Sequence, residues 1–344
     1  MGTPVTRVGL AVAASIYATA VLVSAGAAQV ADQAMRFVLV GSIPGPVDQI
    51  TVEGRYAYLA ADYDFTIVDV SNIEATKPVG KHTFPEKIWG FSLRLPLVYV
   101  AADFFGLGIL DLGDPTRPVL RGSLKTPGQA KGVALVGSTA LLTDHMSGVD
   151  FVDVSSATKP ASLGSFFLDG YARDVASAGT TAYAVDSPTG LYVFDLSKPF
   201  DRSKAEPFEP VAAQQSVSGS RVIEVAPAPQ SSGAHIAVMA GGPTLQVYDV
   251  ANPRMPQKLA SVPIPGGTQR ASIHGSLVYV AAGAEGLQVV DLSTPAKPRI
   301  VGMYKTPSPA RDVAVFGSNV FIVMGRVATR YQGDGEVLIL RQDP

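Results

Sequence analysis

Residues 287–298 read LQVVDLSTPAKP: an apolar run closing on Asp291, a short polar turn, then proline. The same pattern recurs as TIVDVSNIEATKP at 66–78, LGILDLGDPTRP at 107–118 and VDFVDVSSATKP at 149–160. It recurs again as LYVFDLSKP at 191–199 and LQVYDVANPRMP at 245–256. The six aspartates, Asp69, Asp111, Asp153, Asp195, Asp249 and Asp291, are spaced 42, 42, 42, 54 and 42 residues apart. A degenerate seventh copy, EVLILRQDP, ends the sequence, with Leu340 or Arg341 where the aspartate belongs.

Each unit holds four short strand-like runs. Around the third copy they cover 131–136, 139–143, 149–154 and 161–167, all apolar or β-branched and bounded by Gly, Pro, Ser or Asp. Four strands per unit at a period near 42 is the pattern of a propeller blade. Such units cannot bury both faces alone, so they stack into a ring. First strands start near Asp48, Trp89, Lys131, Arg173, Arg221, Gln269 and Arg311, which makes seven blades. The run RFVLVG at 36–41 resembles the fourth strands VLRGS and RIVGM but has no preceding three strands, and the C-terminal unit lacks a fourth. The expectation is an all-β, seven-bladed β-propeller of four-stranded antiparallel blades over 29–344, with the N-terminal strand completing the last blade. An unclosed ring would leave unpaired sheet edges.

Composition agrees. Apolar residues are 47%, charged residues only 16%, and the 34 Gly and 26 Pro are spread along the chain as turn punctuation. No stretch beyond residue 30 keeps a 3.6-residue period. A formal net charge of −2 argues against a nucleic-acid partner, which demands a basic surface. The absence of Cys removes disulfides, thiolate metal sites and Cys nucleophiles.

Residues 1–28 begin with Arg7 as their one positive charge, continue through an apolar run at 8–23, and end in small residues with Ala25-x-Ala27. This is the order of a signal peptide with its cleavage site. The apolar run is also near the length of a single membrane span, so an uncleaved anchor is the other reading, and the only membrane attachment expected. Either places the body outside the cytoplasm, periplasmic or secreted.

The units resemble LVIVD-repeat proteins, named for four apolar residues followed by Asp, as in LQVVD here, and more broadly YVTN- and WD-type propellers. VYVAA at 98–102 and 278–282 matches the second strand of that pattern. The resemblance spans 36–341 and implies architecture and an extracytoplasmic setting rather than an activity.

A residue present in every blade reads as structural, so the six strand-ending aspartates are expected to accept backbone N–H groups in the turn that follows. Function is expected where blades differ. Loops between second and third strands supply the column Asp62, Asp103, Asp144, Asp186, Gly241, Gly283 and Gly325. Its aspartates read either as hairpin caps or as an acidic half-rim for a cation or cationic partner, densest at Asp62-Tyr63-Asp64. A second column, at the starts of the innermost strands, includes Trp89, Lys131, Arg173, Arg221 and Arg311. It reads either as inter-blade ion pairs or as a cluster for a small anionic ligand. The 326–335 loop adds Arg326, Arg330 and Tyr331. Of the histidines, His82, His145, His235 and His274, only His145 belongs to this face, and none stands at metal-ligand spacing from another.

The expected function is a non-catalytic module binding an envelope or secreted protein, or a small anionic ligand, through the channel-mouth face, with no cofactor or metal. Two alternatives stand beside it. One is a propeller lyase or hydrolase using His145 with Arg173 or Arg311. The other is a structural component of an envelope or surface assembly.

Overall fold

The computed structural model describes residues 35–168, 170–187, 190–198, 208–215, 222–227, 235–325 and 336–343. They form seven four-stranded antiparallel sheets and no helix. Blade 1 is Gln49–Glu53, Tyr56–Ala61, Asp64–Asp69 and Lys77–Thr83, and blade 3 is Ala130–Val136, Thr139–Asp144, Gly148–Asp153 and Ala161–Phe166. Blade 7 joins Ala310–Phe316, Asn319–Met324 and Val337–Gln342 to the N-terminal strand Phe37–Ile43, which pairs from Phe37↔Gln342 to Ile43↔Val337. The ring closes as the half-blade at each end of the repeat array requires.

Each strand position has its own burial pattern. Second strands such as Leu97–Ala102 are buried almost throughout, because neighbouring blades cover both faces; hence their unbroken apolar runs. First strands line the central channel, and fourth strands face solvent. Apolar clusters join every neighbouring pair of blades. Tyr58 and Phe65 of blade 1 pack with Val98 and Leu110 of blade 2, and Phe321 and Ile339 of blade 7 pack with Ile50 and Leu59 of blade 1.

The six repeated aspartates behave as turn chemistry demands. Each accepts the backbone N–H two residues on: Ser71 to Asp69 at 2.9 Å, Gly113 to Asp111 at 2.7 Å, Ser155 to Asp153 at 2.9 Å, Ser197 to Asp195 at 2.9 Å, Ala251 to Asp249 at 2.9 Å and Ser293 to Asp291 at 2.8 Å. The Arg55 guanidinium, with Ser71, also holds the Asp69 carboxyl down to about 2.

A second repeated device sits in the fourth strands. A Cβ at Gly41 would overlap the carbonyl oxygen of Ile73, at Gly80 that of Pro115, and at Gly122 that of Ala157. In each case the obstacle is the turn before the next blade's fourth strand. These glycines let successive blades close at their outer rim. Gly80→Ala is therefore expected to cost roughly 1–3 kcal/mol by overpacking against backbone. Melting curves beside Gly54→Ala, a hairpin glycine at φ 61° with open space around it, separate contact from backbone strain. The contact account requires the Gly80 variant to lose more.

Candidate functional site

The mouth is built by a repeated distortion. In blades 2, 3, 4 and 7 the pairing of the first strand slips between Ile88 and Gly90, Ala130 and Gly132, Ala172 and Asp174, and Ala310 and Asp312. The extra residues are Trp89, Lys131, Arg173 and Arg311. A bulge leaves one residue unpaired and re-aims side chains, so four of the expected mouth residues share a backbone cause. Blades 1 and 6 pair without a slip from Gln49 and Arg270.

Their charges are largely engaged by carboxylates. Asp48 receives Arg311 Nη1 at 3.4 Å from blade 7 and Lys87 Nζ at 3.4 Å from the approach to blade 2. Lys87 also reaches Asp62 at 3.1 Å. Burial alone would lower the Lys87 pKa, but Asp48 and Asp62 outweigh it and hold the ammonium charged. Asp103 accepts the Trp89 indole N–H at 2.9 Å and lies 3.9 Å from Lys131 Nζ. The Lys131 ammonium stands 3.7 Å from the Trp89 ring centroid and that of Lys87 5.1 Å from it. In blades 3 and 4, His145 stacks on Tyr171 with centroids 4.7 Å apart, and the Arg173 guanidinium is 5.8 Å from the Tyr171 ring. The mouth is thus laced across blade boundaries, as the ion-pair reading of this column anticipates.

The acidic column resolves into two. Asp62, Asp103, His145 and Gly283 are the true equivalents: their carbonyls accept the N–H groups of Ile88, Ala130, Ala172 and Ala310, each opening the next blade. Asp62 and Asp103 sit at φ 46° and 36°, a left-handed turn geometry that Asp tolerates. Asp144 and Asp186 lie one position earlier, at strand ends paired with Ala130 and Ala172. Both are buried; Asp144 accepts the Gly128 N–H at 2.7 Å and Asp186 that of Gly170 at 2.8 Å. Asp144 is therefore a buried cap and no part of an accessible acidic rim. Asp64 turns toward its own fourth strand, accepting Thr83 Oγ at 2.6 Å and pairing with Lys81 at 2.6 Å. Arg221, Arg326, Arg330 and Tyr331 lie outside the described residues, as does the 1–28 segment.

His145 has a lowered pKa, from burial first and then from Arg173 and Lys131, so its imidazole is neutral at neutral pH. Its Nδ1 is buried without a hydrogen-bond partner, whereas a general base is normally oriented by one.

Two features of this region lie beyond the sequence reading. The first is apolar. Tyr63, Phe104, Met146, Phe167 and Tyr171 are 50%, 52%, 76%, 74% and 48% exposed, all on mouth-side loops or strand starts of blades 1–4. The matching loops of blades 5 and 6 carry Gly241-Gly242 and Gly283-Ala284 instead, and that of blade 7 lies outside the described residues beyond Gly325. Tyr63, Phe104 and Met146 each stand one or two residues beyond an aspartate of the acidic column. The second is the channel. A cavity of about 270 Å³ is lined by Asp174, Glu224, Arg270 and Asp312 among others. Asp312 accepts the Ile50 N–H at 3.0 Å and Asp174 the Ile223 N–H at 3.3 Å, each carboxylate reaching the next blade. Burial, then Asp174 and Asp312, lifts Glu224 to about 7; burial, offset in part by Arg270, lifts Asp312 to about 6. The duplicated Ala-Arg-Asp-Val at 172–175 and 310–313 was the available signal for two of these acids. No group of three or more His, Cys, Asp or Glu among the described residues is arranged to hold a metal ion.

The architecture is that of a seven-bladed β-propeller. It superposes on the Cps50 (Swd1) β-propeller domain of Myceliophteria thermophila with a TM-score of 0.68 and 11% identity, covering 89% of this chain and 99% of that one. It also superposes on Chaetomium thermophilum Raptor with a TM-score of 0.66 and 12% identity. That match covers 93% of this chain but 30% of Raptor. At such identities the likeness is one of fold. The particular kind of propeller follows from its repeats: the LVIVD-repeat family model matches residues 44–79, 97–126, 169–201 and 265–306, so the chain carries LVIVD repeats. Comparison with curated proteins found no match.

Proposed function

We propose that this propeller is an exported, non-catalytic binding module whose contact surface is the channel-mouth face of blades 1–4. The observation that carries the reading is an asymmetry of that face among the described residues: exposed aromatic and Met side chains on blades 1–4 against Gly241-Gly242 and Gly283-Ala284 on blades 5 and 6. Apolar groups gathered on one face are what interaction sites display, and Trp, Tyr, Met and Arg are the residues enriched there. Export rests on the 1–28 segment, and a partner in the envelope or among secreted proteins follows from it. The enzyme alternative has in its favour only the neutral imidazole of His145, whose Nδ1 has no hydrogen-bond partner.

The test is capture of cross-linked partners from the source envelope by the purified chain, in parallel with Met146→Glu. This substitution puts a charge on the most exposed apolar side chain of the face, with little effect on the fold. A partner retained by the native chain and lost by the variant supports the reading. Partners held equally by both would move the contact surface elsewhere. Turnover of a substrate abolished by His145→Ala, with an unchanged melting temperature, would replace it with the enzyme reading.

A further inference from the structure

Resting on the mouth face as the contact surface, we infer that its partner is a protein segment that inserts apolar side chains and carries little charge at the contact. Three observations select this chemistry over an anionic or a flat polar ligand.

First, the described mouth cations Arg311, Lys87 and Lys131 already lie beside carboxylates. Arg311 and Lys87 share Asp48, Lys87 also meets Asp62, and Lys131 lies beside Asp103. An incoming carboxylate or phosphate would have to compete with carboxylates held in place by the same loops. Second, the rings best placed to stack on a sugar or base are already occupied. Trp89 has the ammonium of Lys131 at 3.7 Å and that of Lys87 at 5.1 Å, and its indole N–H is committed to Asp103. Tyr171 has His145 stacked on it and Arg173 near it. Third, the most exposed side chains of this face among the described residues are apolar. Phe104, Met146 and Phe167 stand on successive loops from blade 2 to the blade 3–4 connection, each more than half exposed. The loops are held by backbone bonds to the next blade, Ala130 N–H to Asp103 O at 3.0 Å and Ala172 N–H to His145 O at 3.1 Å. Loops fixed in this way lose little entropy on binding. Covered by a partner, such side chains act as the anchors of an interface.

The probe is a displayed random-peptide library, panned on the purified chain and on a Phe104→Ser/Phe167→Ser variant shown by its melting curve to be folded. Selected peptides are expected to share apolar anchor residues and to lose roughly tenfold or more in affinity on the variant. Their affinity should change less than about threefold between 0.05 and 0.5 M NaCl, since screening acts on charge pairs. Acidic peptides with strongly salt-weakened binding would overturn the partner chemistry while leaving the face in place. Peptides that bind both proteins equally would overturn the face as well. Failure to enrich any sequence would overturn docking of a linear segment.

Discussion

Removal of residues 36–43 is expected to lower stability by an amount comparable to the whole folding free energy, and to leave a chain that aggregates. The N-terminal strand is the outer strand of blade 7, paired over its length with Val337–Gln342. It buries Phe37 and Ile43, and Gly41 gives room for the Ile73 turn of blade 1. The carbonyl of Arg36 also accepts the Asp343 N–H at 2.8 Å. Losing several ladder bonds at about 1 kcal/mol each and two large buried side chains at roughly 1.5–3 kcal/mol each sums to the order of 10 kcal/mol. Native domains hold about 5–15 kcal/mol in total. The exposed edge would be Val337-Leu338-Ile339-Leu340, four consecutive buried apolar residues, which is an aggregation-prone template. Circular dichroism melting and size-exclusion chromatography of the truncated chain check this. A soluble monomer melting within a few degrees of the intact protein would show that the seven blades close without their strand from the other terminus. A peptide of residues 35–44 supplied in trans should restore part of the lost transition.

The repeat made the fold legible because each blade reuses the same local chemistry. Asp closes the third strand, its carboxylate takes the N–H two residues on, and proline follows. Closure was legible from one surplus fourth strand at the start and one missing fourth strand at the end. The starts of the innermost strands were placed correctly, since their residues stand just ahead of strong apolar runs. The acidic column was misregistered for a physical reason. Blades 2 and 3 close this hairpin with three residues each, between Ala102 and Gly106 and between Asp144 and Gly148, but blade 3 carries its aspartate at the strand end and His145 at the first loop position. Matching aspartate to aspartate therefore aligned Asp103 with Asp144, whereas the inter-blade hydrogen bond aligns it with His145. The channel carboxylates escaped for a related reason. In blades 4 and 7 a bulge interrupts the period-two alternation, and Asp174 and Asp312, the residues after the extra one, line the channel. The fourth-strand glycines were present in the sequence, but their purpose depends on the neighbouring blade's turn, which no local pattern encodes.

Asp150→Asn is expected to stabilise the protein above neutral pH and to leave it almost unchanged at or below about pH 4. Asp150 lies in the third strand of blade 3, buried, with one oxygen accepting the Ser165 hydroxyl, while its Oδ2 and the Oδ1 of Asp144 are both buried without another partner and the Asp144 charge acts on it. Asp144, also buried, gives its Oδ2 to the Gly128 N–H. Two carboxyls in contact in a dry site share a proton rather than both ionise. Burial first, and then the Asp144 charge, raise Asp150 to about 7, against an ordinary 3.8, while Ser165 opposes the shift. The phenol of Tyr99, in the apolar cluster between blades 2 and 3, has its pKa raised by burial and carries no charge in this range. The sign follows from proton counting. Between the two values the folded state holds a proton that the unfolded chain has released, so stability falls as pH rises from about 4 to about 7. The loss is complete above that range and amounts to a few kcal/mol at most, at about 1.4 kcal/mol per unit. Asn reproduces the protonated form, with an N–H toward Asp144 and a carbonyl toward Ser165, and it cannot ionise. Melting temperatures of the native chain and the variant should therefore coincide at or below about pH 4 and separate by several degrees at pH 8, the variant melting higher. Asp144→Ala is the contrast: it strands the Gly128 N–H and should destabilise at both pH values by about 1–3 kcal/mol. Parallel pH profiles for the native chain and Asp150→Asn would mean that the two carboxyls share no proton, and that blade 3 tolerates both charges beneath the loop bearing His145 and Met146.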